Sequence, residues 1–168
     1  SEITPESCEQ QLRSLVELGP RFAGDADETR RTVEYLEEKL RLLGYQVERE
    51  AVGRWRGIEQ VNLIVEIEGL IDPTTVVEVG AHYDTVRNCP GADDNGSGVA
   101  GLLEIARVLV HHRPERTVRW CFFAAEEVGL IGSRAHVDHI LGDSSRRVDG
   151  LLDLEMIGYR VHEQGSQD

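Results

Sequence analysis

Apolar residues recur along the chain in two patterns, one typical of helices and the other typical of strands. A spacing of three to four residues predicts helices that begin near residues 5, 27 and 98, and a fourth over 130–141. Alternating or continuous apolar runs predict strands over 45–52, 60–68, 75–82, 117–125 and 150–154. The regular exchange of strands and helices from residue 75 onward predicts an α/β fold, a three-layer sandwich around a central, largely parallel mixed sheet.

The strand predicted over 60–68 shows the alternation most clearly. Its apolar residues occupy every second position and alternate with polar residues that include Asn62 and Glu66. Such a pattern is typical of a half-buried strand, with one face in the core and the other toward solvent. The runs over 75–82 and 117–125 are more continuously apolar, which indicates strands buried deeper in the sheet.

The size and charge of the chain argue against several classes of function. Its 168 residues fit a single domain spanning 1–168. Lys and Arg number 18 and Asp and Glu number 31, and the formal net charge of −13 argues against a nucleic-acid partner or an anionic membrane surface. No apolar run reaches the roughly 18–20 residues of a membrane span, so we expect a soluble protein. The odd number of cysteines indicates no disulfide framework and leaves the compartment open, including export with a leader removed.

Acidic and histidine side chains follow three of the predicted strands, at the point where each strand ends. They are His82 and Asp84, then Glu126 and Glu127, then Asp153 and Glu155, with Asp93 and Asp94 in the loop after the first of these strands. In open α/β sheets, functional groups gather beyond the carboxyl ends of the strands. Histidine and carboxylates are the ligands of catalytic zinc, so this edge of the sheet is a candidate metal site.

Other motifs in the sequence have simpler interpretations. Residues 96–101 spell a G-x-G-x-x-G pattern before a helix, which is found in dinucleotide sites. The pattern does not follow its strand directly, however, and the aspartates at positions 93 and 94 would repel a pyrophosphate. The remaining histidines lack the H-E-x-x-H arrangement and are interpreted as surface residues: His111, His112, His136 and His139.

Four motifs together resemble one known family. They are GAHYD at 80–84, PGADDNGSG at 90–98, FAAEEVGLIGS at 123–133 and LEMIG at 154–158. In order and spacing they resemble the co-catalytic di-zinc aminopeptidases, the leucyl aminopeptidase and aminopeptidase Y type of zinc exopeptidase. The resemblance implies the zinc-exopeptidase type of α/β sandwich, of which this chain would form the N-terminal and central part.

The resemblance also implies a set of zinc ligands. His82 matches a ligand of one zinc, and Asp94 matches the carboxylate that bridges both zincs. Glu127 matches a ligand of the other zinc, and Glu155 stands where the family has an acidic ligand of the first. Asp84 matches the carboxylate that orients the ligand histidine through its other ring nitrogen.

The implied reaction removes N-terminal residues from peptides. Glu126 matches the general base, which takes a proton from a zinc-bound water and later passes it to the leaving amine. The substrate is a peptide with a free N-terminus, whose cationic amine suits an acidic site. The family also tends to have a cis peptide bond after the bridging aspartate, which would be the bond between Asp94 and Asn95.

One departure from the family changes the expectation for this chain. The family's last zinc ligand is a histidine well beyond the position of Glu155, whereas this chain ends at Asp168, and His162 lacks the context of that ligand. We therefore expect one well-held Zn²⁺ and weak or no activity from these 168 residues. We also expect an exposed sheet edge. Either further residues of a longer chain would cover this edge, or a second copy would cover it by self-association.

Two alternatives to the aminopeptidase interpretation remain open. Glutaminyl cyclases are similar in fold and use a single zinc for acyl transfer, but their loops lack the DDNGSG run found at 93–98. An inactive binding module, or a fragment on the same fold, is the other alternative. The adjacent acids Glu126 and Glu127 favour an active parent protein.

Overall fold

The computed structural model describes residues 2–159, and each predicted helix and strand is present there within a few residues of its expected bounds. His162 lies outside the described residues. The elements are α1 (Pro5–Val16), α2 (Ala26–Leu42), β1 (Glu48–Trp55), β2 (Ile58–Ile67), β3 (Asp72–His82), α3 (Gly98–Leu109), β4 (Arg116–Phe123), α4 (Ile131–Gly142) and β5 (Arg147–Asp153). A wide, irregular helical turn over Ala92–Ser97 leads into α3.

Local side-chain chemistry explains where the first two helices begin. Thr4 precedes α1, and its hydroxyl accepts a hydrogen bond from the backbone of Ser7 at 3.1 Å, while Pro5 occupies the first helical position. Asp25 caps α2 by accepting from the backbone N–H groups of Asp27 and Glu28. These caps satisfy N–H groups that have no partner inside the helix.

The five strands form one mixed sheet in the order β1-β2-β4-β3-β5. β1 and β2 are antiparallel, as are β2 and β4, whereas β3 runs parallel to both β4 and β5. The mixed sheet and its flanking helices confirm the predicted fold class. In the parallel part, His82 lies opposite Phe123 and Gly80 lies opposite Asp153, so three strands end at the same edge.

The main hydrophobic core lies between one face of the sheet and the helices α1, α2 and α3. Its fully buried side chains include Leu15, Leu36, Leu102, Trp120 and Phe122. None of the helices within residues 2–159 has the length and apolar character that crossing a bilayer requires.

The opposite face of the sheet carries a small apolar cluster, Ile64, Cys121 and Phe123, beside polar side chains that are largely buried. The alternating pattern did not predict that these polar side chains are buried. Asn62 is fully buried beneath α4: its amide oxygen accepts from the backbone of Ala124 at 2.9 Å, and its amide nitrogen donates to Glu50 and to the carbonyl of Gly132. A polar residue on the face away from the main core is therefore buried here in a second interface, between the sheet and α4, rather than exposed to solvent.

The surface location predicted for His136 is wrong for the same reason. This side chain is only 4% exposed and lies between Glu50 of β1 and Glu78 of β3. Its acidic partners come from strands distant in sequence, so no local motif indicates them. His139, one helical turn later, is largely exposed, as predicted.

An exposed edge is present at β5, where the sheet of the described residues ends. Leu151 and Leu152 are 50% and 57% exposed there. Pairing of this edge with a second chain stays a prediction.

Helix α1 is joined to α3 through one buried carboxylate. Glu104 accepts hydrogen bonds from Gln11 of α1 at 3.2 Å and from Arg107, one turn along α3, at 2.8 Å. The hydrogen bonds from Arg107 outweigh the opposing effect of burial and lower the pKa of Glu104 to about 2. A charged Glu104 is thus preferred strongly in the folded protein.

The first prediction follows from this lowered pKa. Replacing Glu104 by Gln is expected to reduce the free energy of unfolding by roughly 1–3 kcal/mol at pH 7, because the carboxylate's charged hydrogen bonds are lost. A folded-state pKa below the usual 4.5 stabilises the protein above that pH and ceases to do so as pH falls toward 2. Urea unfolding should therefore show the difference from wild type shrinking over that range.

The exposed Glu38→Gln variant serves as the matched control for Glu104→Gln, because Glu38 lies on the solvent side of α2. It should unfold like the wild type at every pH. A Glu104→Gln deficit that stays constant from pH 7 to pH 2.5 would contradict the assignment.

Candidate metal centre

Three of the predicted ligands meet at the carboxyl edge of the parallel strands. His82, at the end of β3, is 4% exposed, and its Nε2 lies 3.2 Å from Oδ1 of Asp94 and 3.5 Å from Oε2 of Glu155. One ligand atom from each of these residues lies within 4.8 Å of the others. The imidazole is buried, whereas the Asp94 and Glu155 side chains are about half exposed, so the group faces outward.

The turn over Ala92–Ser97 brings Asp94 to this position. The backbone enters the turn through Gly91 in the left-handed region, at φ 56°, and leaves it at the first residue of α3. The peptide bond between Asp94 and Asn95 is cis, which confirms that expectation from the resemblance. Asp94 thus sits on an irregular turn rather than within a regular helix.

Asn95 connects this turn to the segment that carries Glu155. Its fully buried amide nitrogen donates to the carbonyl of Leu154 at 2.8 Å and to Oε2 of Glu155 at 2.9 Å. Its amide oxygen accepts from the backbone N–H groups of Gly98 and Met156. One side chain therefore sets the separation between neighbouring Asp94 and the carboxylate of Glu155, a role that the sequence analysis missed.

The turn over Ala92–Ser97 and the segment after β5 approach each other closely, which explains why two positions are glycine. A Cβ on Gly98 would lie 2.1 Å from the carbonyl oxygen of Leu154, and one on Gly158 would lie 2.8 Å from Cβ of Ser97. The Gly158 N–H donates to Asp93 at 2.9 Å. The glycine pattern at 96–101 thus includes a residue that allows two stretches of chain to touch, which the dinucleotide interpretation does not require.

Asp84 holds the turn that carries the two adjacent glutamates. One of its oxygens accepts from the backbone N–H of Glu126 at 2.8 Å and the other from that of Glu127 at 3.2 Å. The chain turns here because Ala125 takes a left-handed conformation, at φ 54°. In an extended strand, adjacent side chains point to opposite faces of the sheet. Because the chain turns here, the side chains of Glu126 and Glu127 are released from that constraint.

The contact between Asp84 and His82 is looser than the resemblance implies. Nδ1 of His82 lies 3.5 Å from Oδ1 of Asp84, and this buried nitrogen has no partner with hydrogen-bond geometry. The orienting role of Asp84 toward His82 stays a prediction. Its shortest contacts are instead with the turn at 126–127, which sequence reasoning did not anticipate.

Several carboxylates lie close together at this edge of the sheet and shift the pKa values of the groups beside them. Burial lowers the pKa of His82, but the carboxylates of Asp84, Glu155 and Glu126 outweigh it and raise the pKa to about 9. Burial, followed by repulsion from Asp94, raises the pKa of Glu127, and burial with the same neighbour raises that of Glu155. The negative charge of the neighbouring carboxylates therefore favours binding of a cation at this edge.

Glu126 and Glu127 occupy different places around the three converging residues. Oε2 of Glu126 lies 3.9 Å from Nε2 of His82, and this side chain is about one-third exposed. The Glu127 side chain is not among the three ligand groups that lie within 4.8 Å of one another. The arrangement separates a compact triad from two flanking carboxylates.

A buried arginine that sequence analysis missed holds the loop that leads from His82 to the turn with Asp94. Arg21 donates from Nε to the carbonyl of Tyr83 at 2.7 Å, and from its two Nη groups to the carbonyls of Pro90 and Gly91 at 2.8 and 2.9 Å. Burial lowers its pKa to about 10, against the attraction of Asp84. The acceptors are backbone carbonyls, so no pairing of side-chain types along the sequence indicates this contact.

The donor set fits a zinc ion. One imidazole nitrogen and two carboxylate oxygens converge, which matches the three protein ligands typical of catalytic zinc sites. The half-exposed carboxylates leave the group open toward solvent. His82, Asp94 and Glu155 could therefore hold one ion. A second ion shared by Asp94 and Glu127 stays a prediction from the resemblance.

Comparison with known proteins gives consistent similarities. Residues 62–166 match peptidase family M28. The chain is 34% identical to the uncharacterized protein YfbL of Escherichia coli (strain K12), with 98% of this chain and 53% of YfbL aligned. It is 45% identical to aminopeptidase YwaD of Bacillus subtilis (strain 168) over 49% of this chain and 18% of that protein.

Solved structures show the same relationship. The LapA aminopeptidase of Legionella pneumophila superposes with a TM-score of 0.82 at 28% identity, covering 94% of this chain and 44% of LapA. The chain thus spans about half the length of YfbL and less than half of LapA.

The second prediction concerns Asn95. Replacing it by Ala removes both donors to the 154–155 segment, so we expect the affinity for Zn²⁺ to fall by roughly 10–100-fold, as is usual for partners that orient a ligand. Isothermal titration calorimetry on protein with native-like circular dichroism measures the change. Gln46→Ala, on an exposed residue between α2 and β1, is the control and should bind like the wild type. Unchanged affinity in Asn95→Ala would show that Glu155 does not depend on this contact.

Proposed function

The chain belongs to peptidase family M28, and on that premise we propose that it forms the metal-binding part of a zinc-dependent aminopeptidase. The observation that carries the proposal is the convergence of His82, Asp94 and Glu155 at the carboxyl ends of three parallel strands. The similarity to YwaD and to LapA, both named aminopeptidases, supports the same class of reaction. The substrate would be a peptide with a free N-terminus.

Each residue of the site has a proposed role. His82, Asp94 and Glu155 would hold one Zn²⁺, and Asp94 would share a second ion with Glu127. The chemistry that zinc supplies when bound is Lewis acidity, which acidifies water and polarises the peptide carbonyl. Asp84 would keep the glutamate turn in place through its two backbone hydrogen bonds.

Glu126 is the proposed general base. Its carboxylate is partly exposed and is not one of the three closest ligand groups, so it is free to accept a proton. It would take one proton from the attacking water as the water oxygen bonds to the carbonyl carbon. It would then deliver that proton to the nitrogen of the departing amine as the C–N bond breaks.

The acidic surroundings favour this substrate class. A peptide with a free N-terminus carries a cationic amine, and the carboxylate of Glu126, which is not one of the proposed zinc ligands, lies 3.9 Å from Nε2 of His82 at the open edge. Electrostatic attraction would orient the amine toward this edge and place the first peptide bond nearby.

An assay on aminoacyl-4-nitroanilides tests the proposed reaction. Zinc-dependent release of nitroaniline by the 168-residue chain, or by any longer gene product that contains it, would support an aminopeptidase. Cyclisation of an N-terminal glutamine without hydrolysis would instead indicate a glutaminyl cyclase. Zinc binding with neither reaction in both forms would indicate a binding module, and the aminopeptidase proposal would be wrong.

The third prediction separates the base from the ligands. Glu126→Gln is expected to lower kcat at least about 100-fold, because an amide cannot accept the proton, while the Zn²⁺ content of the protein stays unchanged. Elemental analysis and nitroanilide hydrolysis measure the two quantities on the most active form.

Glu68→Gln is the matched control, because Glu68 is an exposed glutamate just after β2. It should retain both zinc and activity. Full turnover in Glu126→Gln would refute the assignment of the base, and loss of zinc in that variant would make Glu126 a ligand instead.

A further inference from the structure

A second group of metal-ligand side chains lies beneath α4, on the polar face of the sheet. Glu78 comes from β3, Cys121 from β4 and His136 from α4, and all three are buried. One ligand atom from each lies within 4.8 Å of the others. Glu78 precedes His82 by four residues on β3, roughly 13 Å along an extended strand, so this group is separate from the first.

A partner side chain orients the histidine of this group. Nδ1 of His136 lies 3.0 Å from Oε1 and 3.1 Å from Oε2 of Glu50, which turns the opposite nitrogen toward β3 and β4. That nitrogen, Nε2, then lies 3.2 Å from Oε1 of Glu78 and 3.6 Å from Sγ of Cys121. A carboxylate that holds one ring nitrogen while the other faces ligand atoms is the usual support of a metal-binding histidine.

The glutamate is also held in place. Arg119 donates from Nη1 to Oε1 of Glu78 at 2.9 Å, and from Nε to Glu66 at 3.3 Å. A ring nitrogen, a carboxylate oxygen and a sulfur atom therefore converge from β3, β4 and α4. The contacts of Glu50 and Arg119 restrict the movement of the histidine and the glutamate. Nε2 of His136 carries at most one proton but faces two neighbours, Glu78 and Cys121, so a proton can satisfy only one of these contacts at a time.

We propose that Glu78, Cys121 and His136 form a second metal site that takes a thiophilic divalent transition-metal ion, such as Zn²⁺ or Co²⁺. A thiolate and an imidazole favour these ions over Mg²⁺ and Ca²⁺, which prefer oxygen ligands alone. On binding, the ion replaces the proton on Nε2 and the proton on Sγ, and both are released to solvent. Nδ1 keeps its proton and its contact with Glu50.

The surroundings determine how tightly the site binds. A cavity of about 390 Å³, lined by residues that include Glu50, Arg119 and His136, borders the histidine of the group. The guanidinium of Arg119 beside Glu78 opposes a cation, whereas acids surround His82. We therefore expect the second site to fill after the first.

The fourth prediction uses the thiolate as a spectroscopic label. A parent variant with Cys8→Ser and Cys89→Ser leaves Cys121 as the only one of the three cysteines. Titrating it with Co²⁺ should produce a thiolate-to-cobalt charge-transfer band in the near ultraviolet. Calorimetry in buffers of different ionisation enthalpy should show release of protons accompanying the band.

Further substitutions in this parent locate the signal. Cys121→Ser should abolish the band, and His136→Gln or Glu78→Gln, which keep the thiol, should weaken Co²⁺ binding at this site by roughly 10-fold or more. Asp94→Asn should leave the band intact, because it alters only the first site. Far-ultraviolet circular dichroism checks that each variant is folded.

Two outcomes would overturn the proposal. One is a folded parent that binds Co²⁺ without a charge-transfer band. The other is a band that disappears in Asp94→Asn or is unaffected by both His136→Gln and Glu78→Gln. Neither outcome depends on peptidase activity, so this site and the proposed function fail or succeed separately.

Discussion

The candidate metal centre depends on β3 having a parallel partner on each side. Parallel pairing with β4 and β5 makes three strands end at one edge, where His82, the glutamate turn and Glu155 emerge within a few ångströms of one another. An antiparallel neighbour in either place would bring the opposite end of a strand to this edge and remove one part of the group. The antiparallel pairs, β1 with β2 and β2 with β4, lie on the other side of the sheet from β5 and contribute no member of the triad.

Much of this arrangement could be predicted because its signals are local. Within residues 2–159, the pattern of apolar residues indicated the regular helices and strands, and the acids and histidine at strand ends indicated which edge carries chemistry. The supporting contacts could not be predicted in the same way. Asn95, Arg21 and Asp84 act chiefly through backbone N–H and carbonyl groups. Every residue type offers those groups, so the sequence does not mark the partner.

The polar face of the sheet shows a second reason for failure. Alternation of apolar and polar residues predicts solvent on the polar side, yet α4 covers Asn62 there and buries its own His136 against the sheet. Burial of these polar groups is tolerated because each finds partners from other elements, such as Glu50 of β1. Period alone distinguishes two faces of a strand. It does not reveal whether a helix with a polar side will lie on the second one.

The arginine contacts have a consequence for how this edge of the protein moves. One guanidinium holds carbonyls from both ends of the loop that leads from β3 to the turn with Asp94, and its charge is buried with them. Opening that loop at one end would remove carbonyl acceptors from the buried guanidinium and leave its N–H groups without partners. Partial opening is therefore costly in free energy. We therefore expect the loop to open as a single cooperative unit, so that its amides lose their protection against hydrogen exchange together rather than one residue at a time.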